Sequence, residues 1–166
     1  MSDEQTGESW RGEVGRLSGE ALSTFLGQGI VCRLACLDGD GWPYIVPVWF
    51  HYADDGFYVI PRERSIWASY LDKDPRVSLA IDEATPPYRK VLVKGSAELV
   101  HGPTVDGAWV SIATEMSYRY LGEHGPDYLV PTLHEPRWLF VIRPARMTTW
   151  QGVDWAARYK HDAEPT

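Results

Sequence analysis

Apolar residues recur at two different spacings along the chain, and the change from one to the other marks out its elements. After a polar start, Leu22, Phe25 and Leu26 form a helical stripe. Ser18 is placed to cap it, Glu20 falls in its first turn, and Gly27 and Gly29 close it. Strands then follow in quick succession. Residues 30–37 (IVCRLACL) meet a turn at Asp38-Gly39-Asp40-Gly41, and residues 43–52 (PYIVPVWFHY) meet another at Asp54-Asp55-Gly56. Residues 57–61 (FYVIP) complete a meander. Pro47 has no N–H to give a ladder, so its strand is expected to be bulged or at an edge there.

A short helix fits residues 65–72 and is stopped by Asp74-Pro75. In 76–82, Val77, Leu79 and Ile81 share one face. In 89–100, Val91, Val93, Ala97 and Leu99 oppose Lys94, Ser96 and Glu98. A longer helix is predicted from Pro103 to Gly122, with Val105, Trp109, Ile112, Ala113, Met116 and Tyr120 at helical spacing. A last strand, 137–143, continues past Pro144 towards Trp150. Six short strands joined mostly by tight turns, with few helices, predict a mainly β fold: a small six-stranded antiparallel barrel with flanking helices. Such a barrel fills its own interior, so a ligand is expected outside it or between subunits.

The 166 residues suit one domain, expected over 14–160, with flexible ends at 1–13 and 161–166. No apolar run approaches the roughly 18–20 residues that span a bilayer, and MSDEQTGESWRGE lacks the basic and apolar regions of a signal peptide. A cytoplasmic, non-membrane protein is the expectation. Cys32 and Cys36 share a strand face too far apart to pair, which agrees with a reducing compartment. The formal charge of −7 argues against sequence-blind nucleic-acid binding and leaves room for a local basic pocket.

Three constellations could carry chemistry. Ile60-Pro61-Arg62-Glu63-Arg64-Ser65-Ile66-Trp67 is a strand end running into a helix start. Its two arginines beside a capped N-terminus suit a phosphate, or else form a solvated rim. In Tyr44-Ile45-Val46-Pro47-Val48-Trp49-Phe50-His51, the proline frees backbone groups that could meet the edge of a planar heterocycle, with Trp49 stacking on it. The plain alternative is a core strand with a bulge. Pro86-Pro87-Tyr88-Arg89-Lys90 opens a strand with two basic residues, as an addition to an anion site or as surface. The five histidines show no metal-ligand spacing, and His51 reads better as a partly buried strand residue than as a general acid. With no Walker loop, nucleophile elbow or dinucleotide fingerprint, an enzyme built on this chain needs a cofactor to carry its reaction.

The order RLACLDGDGWPYIVPVWFHY, DGFYVIPRERS, DKDPRVSLAIDE, PPYRKVLVKGSAELV and WLFVIRPARMTTW resembles the pyridoxamine 5′-phosphate oxidase-like family of split β-barrels, over roughly residues 17–150. The resemblance implies a six-stranded split barrel, a homodimer, and a flavin-type cofactor in each of two clefts between subunits: FMN or, in one branch, the deazaflavin F420. Carried across, Val46, Pro47, Val48 and Trp49 flank the ring, and Ile60 and Pro61 touch the ring or its side chain. Arg62, Arg64 and Ser65 form the phosphate corner, while Tyr88, Arg89 and Lys90 approach the cofactor from a neighbouring strand. Trp67 or Trp109 would wall the substrate side. Two features depart from the family: Ile66 and Trp67 stand where basic residues often follow the matching serine, and GVDWAARYKH carries no Arg-x-His substrate pattern. Vitamin B6 oxidation is therefore not expected. The expected activity is hydride transfer between the cofactor and a small planar or conjugated substrate. A non-catalytic carrier of flavin, haem or a fatty ligand is the alternative.

Overall fold

A computed structural model describes residues 9–155. Of the expected flexible ends, residues 1–8 and 161–166 lie outside that span, as do residues 156–160 of the expected domain. Within it, the Arg11 carbonyl accepts from the Val153 N–H at 2.9 Å, and Gly15 pairs with Gln151.

Seven strands form one antiparallel sheet: β1 (Cys32–Leu37), β2 (Pro43–Val48), β3 (His51–Ala53), β4 (Gly56–Val59), β5 (Arg76–Asp82), β6 (Lys90–Thr104) and β7 (Arg137–Trp150). Their spatial order is β2-β1-β5-β6-β7-β4-β3. The count corrects the expected six. The run 43–52 does not continue as one strand but breaks at Trp49-Phe50 into β2 and β3, which lie at opposite edges of the sheet. Two linking residues reach no more than about 11 Å. The sheet is therefore rolled until its edges nearly meet, without pairing, and a seam stays open between them. Pro47 sits in the edge strand β2, opposite Arg33, where its missing N–H costs no ladder bond.

The local reasons for these elements are legible. The Asp38 carboxylate accepts the N–H groups of Asp40 and Trp42, both at 2.9 Å, and tightens the β1–β2 turn. Asp54 and Asp55 both take positive φ (50° and 55°), the type I′ geometry of a two-residue hairpin, and join β3 to β4. The long strands β6 and β7 shift register between Lys94 and Gly95, opposite Pro144. A bulge there bends the ribbon so that the two halves of the sheet face one another. A Cβ on Gly95 would land on the Arg143 carbonyl.

Inside the roll, Cys32, Leu34, Phe50, Phe57, Val59, Leu79, Ile81, Val91 and Ile142 form the main core, closed by Phe25 and Leu26 of α1 (Gly19–Leu26) and by Trp67, Ala68 and Leu71 of α2 (Ile66–Lys73). Leu99, expected on that face, is exposed. Beyond Ala97 the strand outruns the core, with a second register shift after Leu99. A smaller cluster of Trp109, Ala113, Leu129 and Leu139 joins α3 (Ala108–Leu121) and α4 (Gly125–Leu129) to the outside of β7. The helix expected from Pro103 begins later. Pro103 and Thr104 still belong to β6, where Thr104 pairs with Arg137, and the turn is held by the Thr104 hydroxyl on the Asp106 carboxylate at 2.6 Å. Gly122, with φ of 60°, ends α3 as its sequence position suggests. No described helix is long and apolar enough to cross a membrane.

Candidate functional site

A cleft of about 320 Å³ opens where the seam meets the helices. Pro47, Val48 and Trp49 form one lip, from the end of β2. Ile60, Pro61, Arg62 and Ser65, between β4 and α2, form the other with Trp67. Ala113, Met116 and Ser117 of α3, Tyr128 and Leu129 of α4, and Arg137 of β7 close the far end. Residues far apart in sequence thus converge because the seam brings the end of β2 opposite the turn between β4 and α2, with α3 and α4 packed across its end.

Each lip is held in place. The Trp49 indole is stacked on Tyr120 and tilted against Tyr128, with centroids 5.3 Å apart in the second pair. The Tyr120 hydroxyl donates to the Ile30 carbonyl at 3.0 Å and accepts the Phe50 N–H at 3.2 Å, tying the linker to α3. Burial pushes the Tyr120 phenol up to about 12, so it is a neutral strut at any ordinary pH. The opposite lip is a tight turn: Ser65 N–H to Arg62 carbonyl at 2.9 Å, then Ala68 N–H to Ser65 carbonyl at 3.0 Å as α2 begins. Ser65 occupies the N-cap position with extended backbone, but its side chain makes no cap bond within the chain.

Electrostatics at the corner are cationic but not bare. Arg62 pairs with Glu135 at 2.8 Å in a half-exposed ion pair. Arg137, which no strand or motif argument singled out, is 6% exposed and sits beside Arg62 through a backbone bridge. Its Nη2 donates to Thr132 Oγ1 at 2.7 Å, while its Nε is buried without a partner. Burial first, then Arg62, lowers its pKa from the ordinary arginine value, with Tyr128 and Glu135 acting the other way. The only sequence signal for it is an arginine opening an otherwise apolar strand, a weak one.

Of the residues expected at the site, Pro47, Val48, Trp49, Ile60, Pro61, Arg62, Ser65 and Trp67 line the cleft together. Val46 faces the main core instead. Arg64 is exposed on the outside of the same turn and is not part of the lining. Tyr88, Arg89 and Lys90 lie elsewhere in this single chain. Tyr88 and Lys90 border an open hollow with Trp10, Arg11, Trp150 and Trp155. The Arg89 guanidinium is engaged by Glu83 (2.7 Å at Nη2, 3.0 Å at Nε) and lies over the Phe25 ring. Trp109 is fully buried beneath Arg137, behind the cleft and not on its wall. His51, on β3, is outside the lining too. Its Nδ1 faces Arg119 Nη2 at 3.1 Å, and burial and that guanidinium lower its pKa, which leaves a neutral imidazole.

The donor set fits a flat, partly apolar molecule with an acidic group: an aromatic and proline lip, an opposing apolar edge, and arginines with an unfilled N–H at one end. Known structures share the fold. The F420 reductase fold aligns with 78% of this chain and 98% of its own, at 23% identity and a TM-score of 0.64. A FAD-binding protein from Mesorhizobium loti aligns over 86% of this chain and 98% of its own, at 22% identity and a TM-score of 0.60. HutZ, the haem storage protein of Vibrio cholerae, aligns over 85% and 100%, at 20% identity and a TM-score of 0.64. No curated protein matches the chain in sequence. The pyridoxamine 5′-phosphate oxidase family model matches residues 18–151, nearly the whole of the described fold, and the chain belongs to that family.

Proposed function

We propose that the protein is a flavin- or deazaflavin-dependent oxidoreductase that works as a homodimer. The observation carrying this reading is the seam cleft itself, in which a fixed aromatic and proline lip faces a cationic corner at the start of α2. The family membership and the resemblance to an F420 reductase and a FAD-binding protein support it. When bound, a reduced flavin or deazaflavin supplies a hydride equivalent. The chain's own residues do the rest. Pro47, Val48 and Trp49 set the plane in which a ring lies, with Trp49 braced by Tyr120. Arg62 and Ser65 anchor a phosphate near the N-terminal end of α2, where the backbone dipole favours negative charge. Trp67, Met116 and Leu129 exclude water from the space beside the ring, which strengthens every charge interaction there.

In the dimer, Tyr88 and Lys90 approach the partner's cleft across the interface. Their position away from this chain's own cleft, together with the exposed Ile45 and Leu92 on the outer sheet face, supports that arrangement.

The carrier reading keeps one observation in its favour, the structural similarity to a haem storage protein. The described residues lining the cleft include no histidine or cysteine, and its haem-ligand types are Met116 and Tyr128. The experiment is titration of the purified protein with FMN and with F420, followed by their distinct absorption spectra. Each reduced cofactor is then offered with quinones, enones and tetrapyrroles. Binding with turnover supports the oxidoreductase. Binding without oxidation supports the carrier, and binding of neither cofactor overturns the enzyme reading.

A further inference from the structure

At its helix-lined end, the cleft holds a cation that the chain itself satisfies only in part. Arg137 is 6% exposed, yet its Nε meets no acceptor. One terminal nitrogen donates to Thr132 Oγ1 at 2.7 Å, and the guanidinium carbon stands 5.3 Å over the Trp109 ring. The carboxylate nearest in the chain, Glu135, is already engaged by Arg62 at 2.8 Å. A guanidinium keeps its charge inside a protein. A buried charge lacking a full set of acceptors is among the costlier features a fold can hold, and buried donors are almost always satisfied. Arg137 lines the cleft. A molecule bound in that space is therefore the one candidate outside the chain placed beside this side chain to supply the missing acceptor.

We propose that Arg137 is an oxyanion receptor: it takes a carboxylate or phosphate oxygen of the molecule bound in the cleft, with Thr132 and Trp109 holding the guanidinium in place. The assignment rests on the cleft being a ligand site, and it narrows the ligand class to acids. Thr132 fixes one arm of the fork from the loop after α4, so Nε remains for a single charge-assisted hydrogen bond to an oxygen of a carboxylate or a phosphate. Two sources carry that chemistry, the phosphate of a cofactor and the acid group of a substrate lying beside it. A neutral planar molecule of the same shape brings no charge to the guanidinium and binds more weakly.

The test uses the whole protein in chloride buffer at constant ionic strength. Arginine Nε–Hε resonances are followed by NMR during titration with inorganic phosphate, benzoate and benzamide, and the Arg137 resonance is identified by its loss in Arg137→Lys. FMN and riboflavin affinities are measured for the wild type and Arg137→Met. The expected result is a saturable shift of the Arg137 resonance with phosphate or benzoate at concentrations at least tenfold below those at which benzamide moves it, and at least a tenfold loss of affinity for the active anion in Arg137→Met. If FMN binding weakens tenfold or more while riboflavin binding does not, the cofactor phosphate is the source. If FMN binding is unchanged and benzoate binding is lost, the source is a substrate acid. An Arg137 resonance unmoved by phosphate, benzoate and FMN overturns the proposal, as does equal anion affinity in a folded Arg137→Met. Should that variant not fold, the wild-type titration decides. A wild type that binds neither FMN nor F420, yet shows the anion-dependent shift, removes the flavin reading and leaves the receptor standing.

Discussion

The indole of Trp49 and the phenol of Tyr120 lie face to face, with ring centroids 4.7 Å apart and planes within 5° of parallel. The stack joins the linker between the sheet edges to the last turn of α3, so one lip of the cleft is fixed by an interaction between residues 71 positions apart. The same tyrosine also holds backbone groups on both sides of the seam, the Ile30 carbonyl and the Phe50 N–H.

Replacing Tyr120 separates those two roles. Tyr120→Phe keeps the stack but strands the Phe50 N–H and the Ile30 carbonyl, at a cost of about 1–3 kcal/mol. Tyr120→Leu adds the loss of the aromatic pair, about 0.5–1.5 kcal/mol more. Urea unfolding of both variants gives this order. Cofactor affinity falls further in Tyr120→Leu, where Trp49 loses its brace; equal affinity in the two variants would detach the stack from binding.

The two arginines of the turn are expected to behave differently. Arg62 lines the cleft, and Arg62→Ala weakens cofactor binding by about 1.5–3 kcal/mol through loss of a charge-assisted phosphate contact. Arg64 is exposed and does not line that space, so Arg64→Ala has a smaller effect, confined to long-range charge. Titration of FMN and F420 against each variant checks the order, and a larger effect at Arg64 would move the phosphate to the outer side of the turn.

Arg89 is expected to report on stability first. Its fork clasps Glu83, with the two side chains 25% and 12% exposed. Arg89→Ala leaves Glu83 half-buried and unpaired, a loss of about 1–3 kcal/mol, and Arg89→Lys restores only part because an ammonium cannot repeat the bidentate geometry. The hydrogen bonds from Arg89 hold the Glu83 carboxyl below the usual glutamate range. The contribution is thus present above the unfolded carboxyl's pKa and is lost as pH falls through the lower folded value. Acid unfolding of Arg89→Ala should therefore be less steep than that of the wild type below about pH 4.5.

Alkaline stability should be governed in part by Cys32. Burial raises its thiol from 9.0 to about 12. The unfolded thiol loses its proton near pH 9 while the folded one keeps it, so stability is level below that point and declines between pH 9 and 12, by an amount on the order of a few kcal/mol. The difference in unfolding free energy between the wild type and Cys32→Ala, measured across that interval, isolates the effect. Parallel curves for the two proteins would rule it out.

Much of this architecture was legible in the sequence because alternation and turn chemistry are local. Cys32, Leu34 and Cys36 alternate inward as their spacing indicates, and Asp54-Asp55-Gly56 makes its hairpin. The first lip and the corner at Ser65 were legible too, from one proline in a strand and two arginines before a helix. What escaped depends on tertiary context. The break at Trp49-Phe50 looks like an uninterrupted strand, since both residues favour extended backbone; only the closure of the roll sends them across the seam. Pro103 reads as a helix start, yet β6 runs on past it to pair Thr104 with Arg137. The helical turns between Gly122 and Thr132 carry no sequence signal, because Gly125, Pro126 and Pro131 look like loop residues. Arg137 was missed for the same reason: burial of a strand-opening arginine is settled by α3 and α4 folding over it.

The two-residue linker has a mechanical corollary. Trp49 and Phe50 are the sole covalent tie between β2 and the β3–β4 hairpin, which is otherwise fastened to its neighbour by the three residue pairs of β4 with β7. Severing the chain there, by a protease or by relocating the termini in a permuted gene, would remove that tie and leave the hairpin held by β7 and by the burial of Phe57 and Val59. The mouth of the cleft would then lose its direct covalent brace while the hydrophobic body stayed in place, which makes this junction the natural place to install a ligand-responsive hinge.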